Sequence, residues 1–310
     1  MSLILGIEPC QNVTPPTSLS FFTASCSILI TFFSLAGNSL VVIAVFWNPY
    51  KDLRKPFYYF VTSLSIADLL VGIILGPLHT IWHILEGLEM RRPSDLISLI
   101  HFLCFILCTA SLLSLTALTL ERYLAIMHQS RLNPVRVFLV SVIVWVVSVL
   151  LSMVYFIVEY NTCRFIFANT CLAVTIATLI FTNAKILKHL QQQMQQWDDL
   201  RDSTEDDLIM IQLMMWEKKM TKTLVIVILL SVVFYLPSCI FIYIINFCTE
   251  CNCMFIHWIR DIQWVLVIST AAVNPFAYPW RLENFRRIFR RIVKCRAFGS
   301  DYSVLVPCQI

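Results

Sequence analysis

The sequence predicts an all-α fold: a bundle of seven transmembrane helices followed by a short amphipathic eighth helix. Three observations carry this reading. The 310 residues are 58% hydrophobic and only 14% charged, whereas soluble domains carry about a quarter charged residues. The apolar residues fall in long blocks, and a helix needs roughly 20 of them to cross a bilayer core of about 30 Å. Lys and Arg gather in alternate connecting segments, the asymmetry of a multi-pass chain.

The spans are expected at about 21–47, 57–82, 95–127, 134–158, 165–190, 216–246 and 255–280, each a helix because open backbone cannot face lipid. Residues 1–20 form an N-terminal segment, 21–280 the bundle and 281–310 the tail. The N-terminal segment has no basic start, so the first span is expected to act as an uncleaved insertion signal. The net charge of +4 matters less than its distribution. With the N-terminus outside, the inner segments hold Lys51, Arg54, Lys55, Arg131, Arg136, Lys185, Lys188, Lys218, Lys219 and Lys222, and the tail adds a dense basic run. The outer segments hold only Arg91, Arg92, Arg164 and Arg260. That places the N-terminus outside the plasma membrane.

Polar residues inside the spans are the informative ones. The first span carries Asn38 in "LAGNSLVV" and the second Asp68 in "LSIADLLVG". An unpaired mid-span carboxylate costs at least about 2.5–3.5 kcal/mol, so Asp68 should face the bundle interior with Asn38, Ser111 and Asn274 as polar partners. A sodium ion or water would satisfy it; a hydrogen-bonded polar knot without an ion is the alternative. The third span ends in Glu121-Arg122-Tyr123, and the fourth holds Trp145. The sixth begins at "WEKKMTKTL", where Glu217 can reach Arg122 as a two-state latch. Lying near water, that latch is expected to be worth about 1 kcal/mol or less. Pro237, two residues after Tyr235, kinks the sixth span. Asn274-Pro275-Phe276-Ala277-Tyr278 puts a second proline break in the seventh. The acidic stretch before the sixth span is expected to be a solvated helix extension or a mobile loop. In the eighth helix Phe285, Ile288, Phe289 and Ile292 recur at helical spacing among Arg286, Arg287, Arg290 and Arg291. Such a helix lies in the membrane interface, and Cys295 at its end is a candidate for palmitoylation. Asn12-Val13-Thr14 is a glycosylation acceptor.

The ordered set "GN", "LSxAD", "ERY", Trp145, Pro237 and "NPxxY" resembles the rhodopsin-like G-protein-coupled receptors over about residues 28–295. The resemblance implies a seven-helix receptor coupled to heterotrimeric G proteins, with arrestin as a further partner. It gives Arg122 the G-protein-facing role, Asp68, Ser111 and Asn274 the sodium pocket, and Tyr278 an active-state role. The chain also departs from the pattern. Ile97 replaces the cysteine at the outer end of the third span. Thr175 stands for the fifth-span proline and Asn183 near the low tyrosine, while Tyr235 and Ser231 replace aromatics around the kink. Activation is therefore expected to be atypical, or the chain basally active or weakly coupled.

Lack of the usual bridge from the third span, lack of the fifth-span proline and a short second outer loop resemble the melanocortin, cannabinoid and lysophospholipid branch. "NFCTECNCMFIHWI" is similar to the cysteine-rich third outer loop of melanocortin receptors. By that likeness Cys248 or Cys251 bridges within the loop and Cys253 reaches Cys10. The four cysteines still allow three full pairings, and only Cys251 with Cys253 is disfavoured, by a strained ring. Leu78, Ile97 and His101 stand where that branch has carboxylates, so neither its peptide ligand nor its calcium site is carried over. Cys104 occupies the place of the aspartate that pairs with amines, which disfavours a monoamine. Cys104, Cys108, Tyr235, Cys239, Phe241, Tyr243 and Trp264 would line a mostly apolar outer cavity, favouring a lipid-like or peptide ligand.

Two other readings compete. A transporter, channel or ion pump would string ionisable groups across the membrane, whereas here they cluster at one midplane site and one rim. A receptor-shaped scaffold that does not signal would share every motif. No hydrolase, kinase or metal-site pattern is present, and no nucleic-acid partner is expected. Cys251-Asn252-Cys253 is too closely spaced for zinc and lacks His partners, and His257 reads as an interfacial side chain. No enzyme activity and no cofactor beyond sodium at Asp68 are expected.

Overall fold

The computed structural model describes residues 10, 13–47, 53, 55–128, 132–158, 160–167, 169–170, 173–199, 205–248 and 250–298. Asn12 lies outside them. Tyr278 and Cys295 lie in helices, but their side chains are outside what is described.

Seven long helices pack side by side. They are α1 (Thr17–Trp47), α2 (Pro56–Gly87), α3 (Ser94–Met127), α4 (Pro134–Phe156), α5 (Ala173–Asp199), α6 (Glu205–Phe247) and α7 (Cys253–Arg281), followed by α8 (Glu283–Phe298). Among the described residues, α1–α4 and the Glu217–Phe247 part of α6 are long and apolar enough to cross a membrane. α5 and α7 have the length, at about 1.5 Å per residue, but carry more polar residues. In α7 the sequence gives the reason: His257, Arg260, Asp261, Gln263 and Asn274 interrupt the apolar run, and four of these five are buried against neighbouring helices, Arg260 only partly. α1 packs on α2 and α7, α3 on α2 and α4, and α6 on α7.

Local chemistry sets the helix limits. Asn133 caps α4 by accepting the Arg136 backbone N–H at 2.8 Å, with Pro134 at the first turn, where its missing N–H does no harm. α2 changes to a π-helical turn over Val71–Leu75, with the Gly76 N–H reaching the Val71 carbonyl. Pro77 follows directly and has no N–H to give the preceding turn, which favours the wider ring there. At Gly76 an added Cβ would lie 2.1 Å from Thr31 Oγ1, so α1 and α2 approach here as only glycine permits.

Three expectations about spans are corrected. The fifth span begins at Ala173. Residues before it form a separate eight-residue connecting helix, Tyr160–Phe167. Its aromatics pack on the bundle: Tyr160 stacks on His101 at 3.6 Å, Phe167 meets Phe105 and Phe165 meets Tyr243. α6 starts at Glu205, because the acidic stretch continues the helix. α2 runs five residues beyond the expected end, to Gly87.

Two large apolar clusters form most of the core, with a small third one at Leu112 and Tyr235. One, around Phe57, Tyr58, Leu64, Leu118, Leu224, Val227 and Phe285, fills the end near Arg122. The other, around Leu75, Ile100, Leu107, Trp264 and Ile268, fills the opposite half. Large apolar side chains on α4, among them Phe138, Leu139, Ile143, Val146 and Leu150, are more than half exposed. A water-facing surface would not carry such a stripe; a lipid-facing one does. α8 buries Phe285 and Ile288, with Leu282 just before it, and exposes Arg286, Arg287 and Arg290. The amphipathic eighth helix is thus present, its apolar face seated on Tyr58 through Phe285 at 5.5 Å.

Two disulfides close one end of the bundle. Cys10 bonds Cys253, tying the N-terminal segment to the start of α7, and Cys248 bonds Cys251. Of the pairings left open by the sequence, this is the one the fold selects. His257 next to them is buried, with Nε2 at 2.9 Å from the Val13 carbonyl oxygen. It holds the N-terminal segment instead of standing at an interface.

Candidate functional site

The polar groups form three layers along the bundle axis. At the end opposite the disulfides, Arg122 of α3 is buried at 2% exposure. Its Nε and Nη2 donate to the two carboxylate oxygens of Glu121 at 2.6 and 2.7 Å, and Nη1 donates to Glu217 Oε2 of α6 at 2.9 Å. The planar guanidinium serves both carboxylates at once, and it lies 5.5 Å from the Phe57 ring centre. The expected contact between α3 and α6 is therefore made. Its expected setting near water is corrected, since both carboxylates are buried as well. Phe57, Met220 and Leu224 of the core pack at this end and exclude solvent.

At mid-bundle, Asp68 is buried, and its two oxygens accept from Ser111 Oγ at 3.2 Å and Asn274 Nδ2 at 2.9 Å. Ser34 Oγ donates to the Asp68 backbone carbonyl at 2.6 Å. Asn38 does not touch the carboxylate, contrary to expectation. Its Nδ2 donates to the Ala271 carbonyl at 2.9 Å and to Ser34 O at 2.9 Å. The reason is Pro275. A proline leaves the carbonyl four residues before it without a helical donor, and Ala271 is that residue. Asn38 supplies the missing donor from α1. Gly37 makes the approach possible, since a Cβ there would fall 2.5 Å from Pro275 Cγ.

Nearer the disulfides lies a cavity lined by Cys104, Phe105, Cys108, Arg164, Phe167, Tyr235, Cys239, Ile242, Gln263 and Trp264, among others. Cys104, Cys108, Cys239, Tyr235 and Trp264 are all where the sequence placed them. Phe241 and Tyr243 do not line it. Positions 235, 238, 239 and 242 form the inward stripe of α6, at i, i+3, i+4 and i+7, and Phe241 and Tyr243 fall off it. Tyr243 instead hydrogen-bonds Asn169 Oδ1 outside the cavity. No carboxylate lines the cavity among the described residues. Its charged group is the buried Arg164, stacked 5.0 Å over Tyr160. Gln263 Oε1 is buried with no hydrogen-bond partner among the described residues. Pro237 sits inside α6 between this cavity and the Glu217 contact.

A family profile described as "7 transmembrane receptor (rhodopsin family)" matches residues 37–278. The chain belongs to the rhodopsin family of seven-transmembrane receptors. This rhodopsin-family receptor is accordingly a multi-pass membrane protein, and its family consists of receptors, not enzymes. The fold agrees: the crystal structure of squid rhodopsin superposes with a TM-score of 0.80 over 99% of this chain and 98% of that one, at 13% identity. Two Caenorhabditis elegans proteins are 36% identical over 132 residues, or 40% of this chain. They are the tyramine receptor Ser-2, of which this covers 28%, and dopamine receptor 4, of which it covers 24%. The matched stretch thus spans about a quarter of these relatives.

Sequence reasoning missed one group in the receptor. His79, His83 and Glu86 of α2 and Asp261 of α7 are all buried, beside His101 and Arg260, at the disulfide end. A signal was present: His79, His83 and Glu86 recur at i, i+4 and i+7, one face of a helix.

Proposed function

We propose that this receptor sits in the plasma membrane with its disulfide end outside. There it binds a peptide or lipid-like ligand in the apolar cavity and activates heterotrimeric G proteins by outward movement of α6. The observation that carries the reading is the buried Arg122, bonded at once to Glu121 on its own helix and to Glu217 on α6. A contact between two helices that must break before they part is a switch element. The Pro237 kink lies on the same helix as the cavity residues Tyr235 and Cys239, so a ligand that shifts them moves a lever ending at Glu217. Tyr278 and arrestin binding belong to the same reading.

The cavity favours an apolar ligand with an acidic or hydrogen-bond-donating group over a monoamine. An ammonium wants a carboxylate, and Cys104 stands where amine recognition would need one; Arg164 and Gln263 offer the opposite chemistry. The paired disulfides Cys10–Cys253 and Cys248–Cys251 support the likeness to the melanocortin, cannabinoid and lysophospholipid branch. The amine names of the worm relatives belong to those proteins. Asp68 and Ser111 present the hard oxygen donors that a sodium ion prefers, so these residues fit a sodium site, with Asn274 fixing the carboxylate.

Second-messenger output from the full chain expressed in cells, screened against lipid, peptide and amine libraries, tests the proposal. Arg122→Ala should abolish every ligand response at equal surface expression. Activation by an amine that persists in Arg164→Ala, with the lipid and peptide arms silent, would overturn the ligand assignment.

A further inference from the structure

The structure holds a second constellation that the receptor reading does not use. His83 Nδ1 of α2 lies 3.0 Å from Glu86 Oε2 and 3.9 Å from Asp261 Oδ2 of α7. The three ligand-type atoms all lie within 4.8 Å of one another, and all three residues are buried. The other carboxylate oxygens point away and are held by guanidiniums: Arg92 engages Glu86 Oε1, and Arg260 Nε donates to Asp261 Oδ1 at 3.2 Å. Two hydroxyls of α1 support the inner oxygens. Ser20 Oγ donates to Glu86 Oε2 at 2.9 Å and Thr23 Oγ1 donates to Asp261 Oδ2 at 3.2 Å.

We propose that His83, Glu86 and Asp261 form a binding site for a zinc-class divalent cation that ties α2 to α7. A tetrahedral ion with bonds of about 2.0–2.2 Å to imidazole nitrogen and carboxylate oxygen sets its ligand atoms about 3.4 Å apart. The 3.0 and 3.9 Å separations bracket that value. An imidazole nitrogen with two carboxylate oxygens suits zinc, whereas calcium takes six to eight oxygens. The hydroxyls and guanidiniums occupy the outer-shell places that orient ligating carboxylates. A carboxylate oxygen has lone pairs enough to ligate and still accept the Ser20 or Thr23 proton. Two carboxylates balance the ion's charge. The arginines, 31% and 24% exposed at the side chain, engage the outer carboxylate oxygens and leave the inner ones to the ion. Any proton on His83 Nδ1 leaves to solvent as the ion binds, and the imidazole keeps its Nε2–H.

The fourth coordination position opens on a cavity that also touches His79 and Trp82. His101, Tyr160 and Trp264 border both this cavity and the ligand cavity, forming the wall between them. The site therefore stands whether or not the ligand assignment above is right.

The test uses the purified full chain in chelator-free nanodiscs, titrated with zinc chloride and, separately, calcium chloride, by calorimetry and thermal shift. One saturable zinc site per chain and a raised thermal midpoint are expected, with calcium giving neither. Asp261→Asn and His83→Ala should weaken zinc binding at least tenfold, while His128→Ala, at the far end of α3, leaves it unchanged. Zinc-edge X-ray absorption on the unmodified protein guards against variants that fold poorly. It should report one imidazole with two or three further oxygen or nitrogen ligands. Absence of saturable binding, zinc affinity in Asp261→Asn and His83→Ala equal to that of the unmodified protein, or sulfur in the zinc shell would overturn the site.

Discussion

Replacing Glu217 with Ala removes the Arg122 Nη1 hydrogen bond to its carboxylate, one of three that Arg122 makes to carboxylates among the described residues. Truncating one partner of a buried ion pair costs about 3–5 kcal/mol when the other charge is left orphaned. That does not happen here, because Glu121 keeps two short bonds to the guanidinium, at 2.6 and 2.7 Å. The loss is then close to that of one hydrogen bond between charged groups, about 1.5–3 kcal/mol. The lower figure applies, since Glu217 is the most exposed of the three groups and regains water when α6 moves. At about 1.4 kcal/mol per factor of ten, the resting state loses about tenfold of its advantage. A receptor poised at about 1:99 would move to about 1:9. Glu217→Ala should therefore raise ligand-free second-messenger output about tenfold at matched surface expression, and Glu217→Gln, which keeps one acceptor, should fall between. Unchanged basal output from Glu217→Ala, in a receptor whose signalling is lost with Arg122→Ala, would refute the argument that this contact holds α6 in.

Four further outcomes are expected. Cys10→Ser should lower the thermal midpoint more than Cys248→Ser, because the first bond closes a separation of 243 residues and the second only 3; chain-entropy arguments give about 2–4 kcal/mol for long closures, and equal midpoints by thermal shift would contradict this. Sodium should raise the thermal midpoint of the unmodified protein and have no such effect on Asp68→Asn, which keeps the side-chain shape without the charge, its amide oxygen accepting from Asn274 and its NH2 donating to the Ser111 hydroxyl oxygen. Glycosidase treatment should speed the gel migration of expressed protein and leave Asn12→Gln unchanged. Acyl-exchange labelling should drop in Cys295→Ser, and identical labelling of the two proteins would exclude that cysteine as the acylation site.

The motifs that were legible in sequence share one property: each is a polar residue or proline in a segment where physics forbids it without compensation. Asp68, Arg122, Pro237 and Pro275 announce themselves because an apolar helix has no other reason to hold them. Their partners were less legible. Ser111 and Asn274 were named correctly for Asp68, yet Asn38 serves the carbonyl freed by Pro275, a debt visible in sequence only once the helix count between residues 271 and 275 is considered. Phe241 and Tyr243 were placed in the cavity by proximity along the chain, and the helical stripe of α6 excluded them. The His83–Glu86–Asp261 group escaped because its members lie 175 residues apart in sequence, between Glu86 and Asp261, and because charged residues near a span end read as solvated.

By itself the sequence determined the class of molecule, the number of long helices, the contact of Arg122 with Glu217 and the amphipathic α8, since hydropathy, helical period and proline chemistry act over a few residues. Tertiary structure alone decided three things. It chose Cys10–Cys253 and Cys248–Cys251 from the pairings that spacing left open. It buried the Arg122 contact, by closing Phe57 and Met220 around it. And through the π-helical turn before Pro77, which adds a residue and turns the rest of α2 by about 100°, it brought His83 and Glu86 round to face Asp261. Each depends on how separate helices rotate and approach, a quantity set by the packing of whole faces, which no local pattern of residues records.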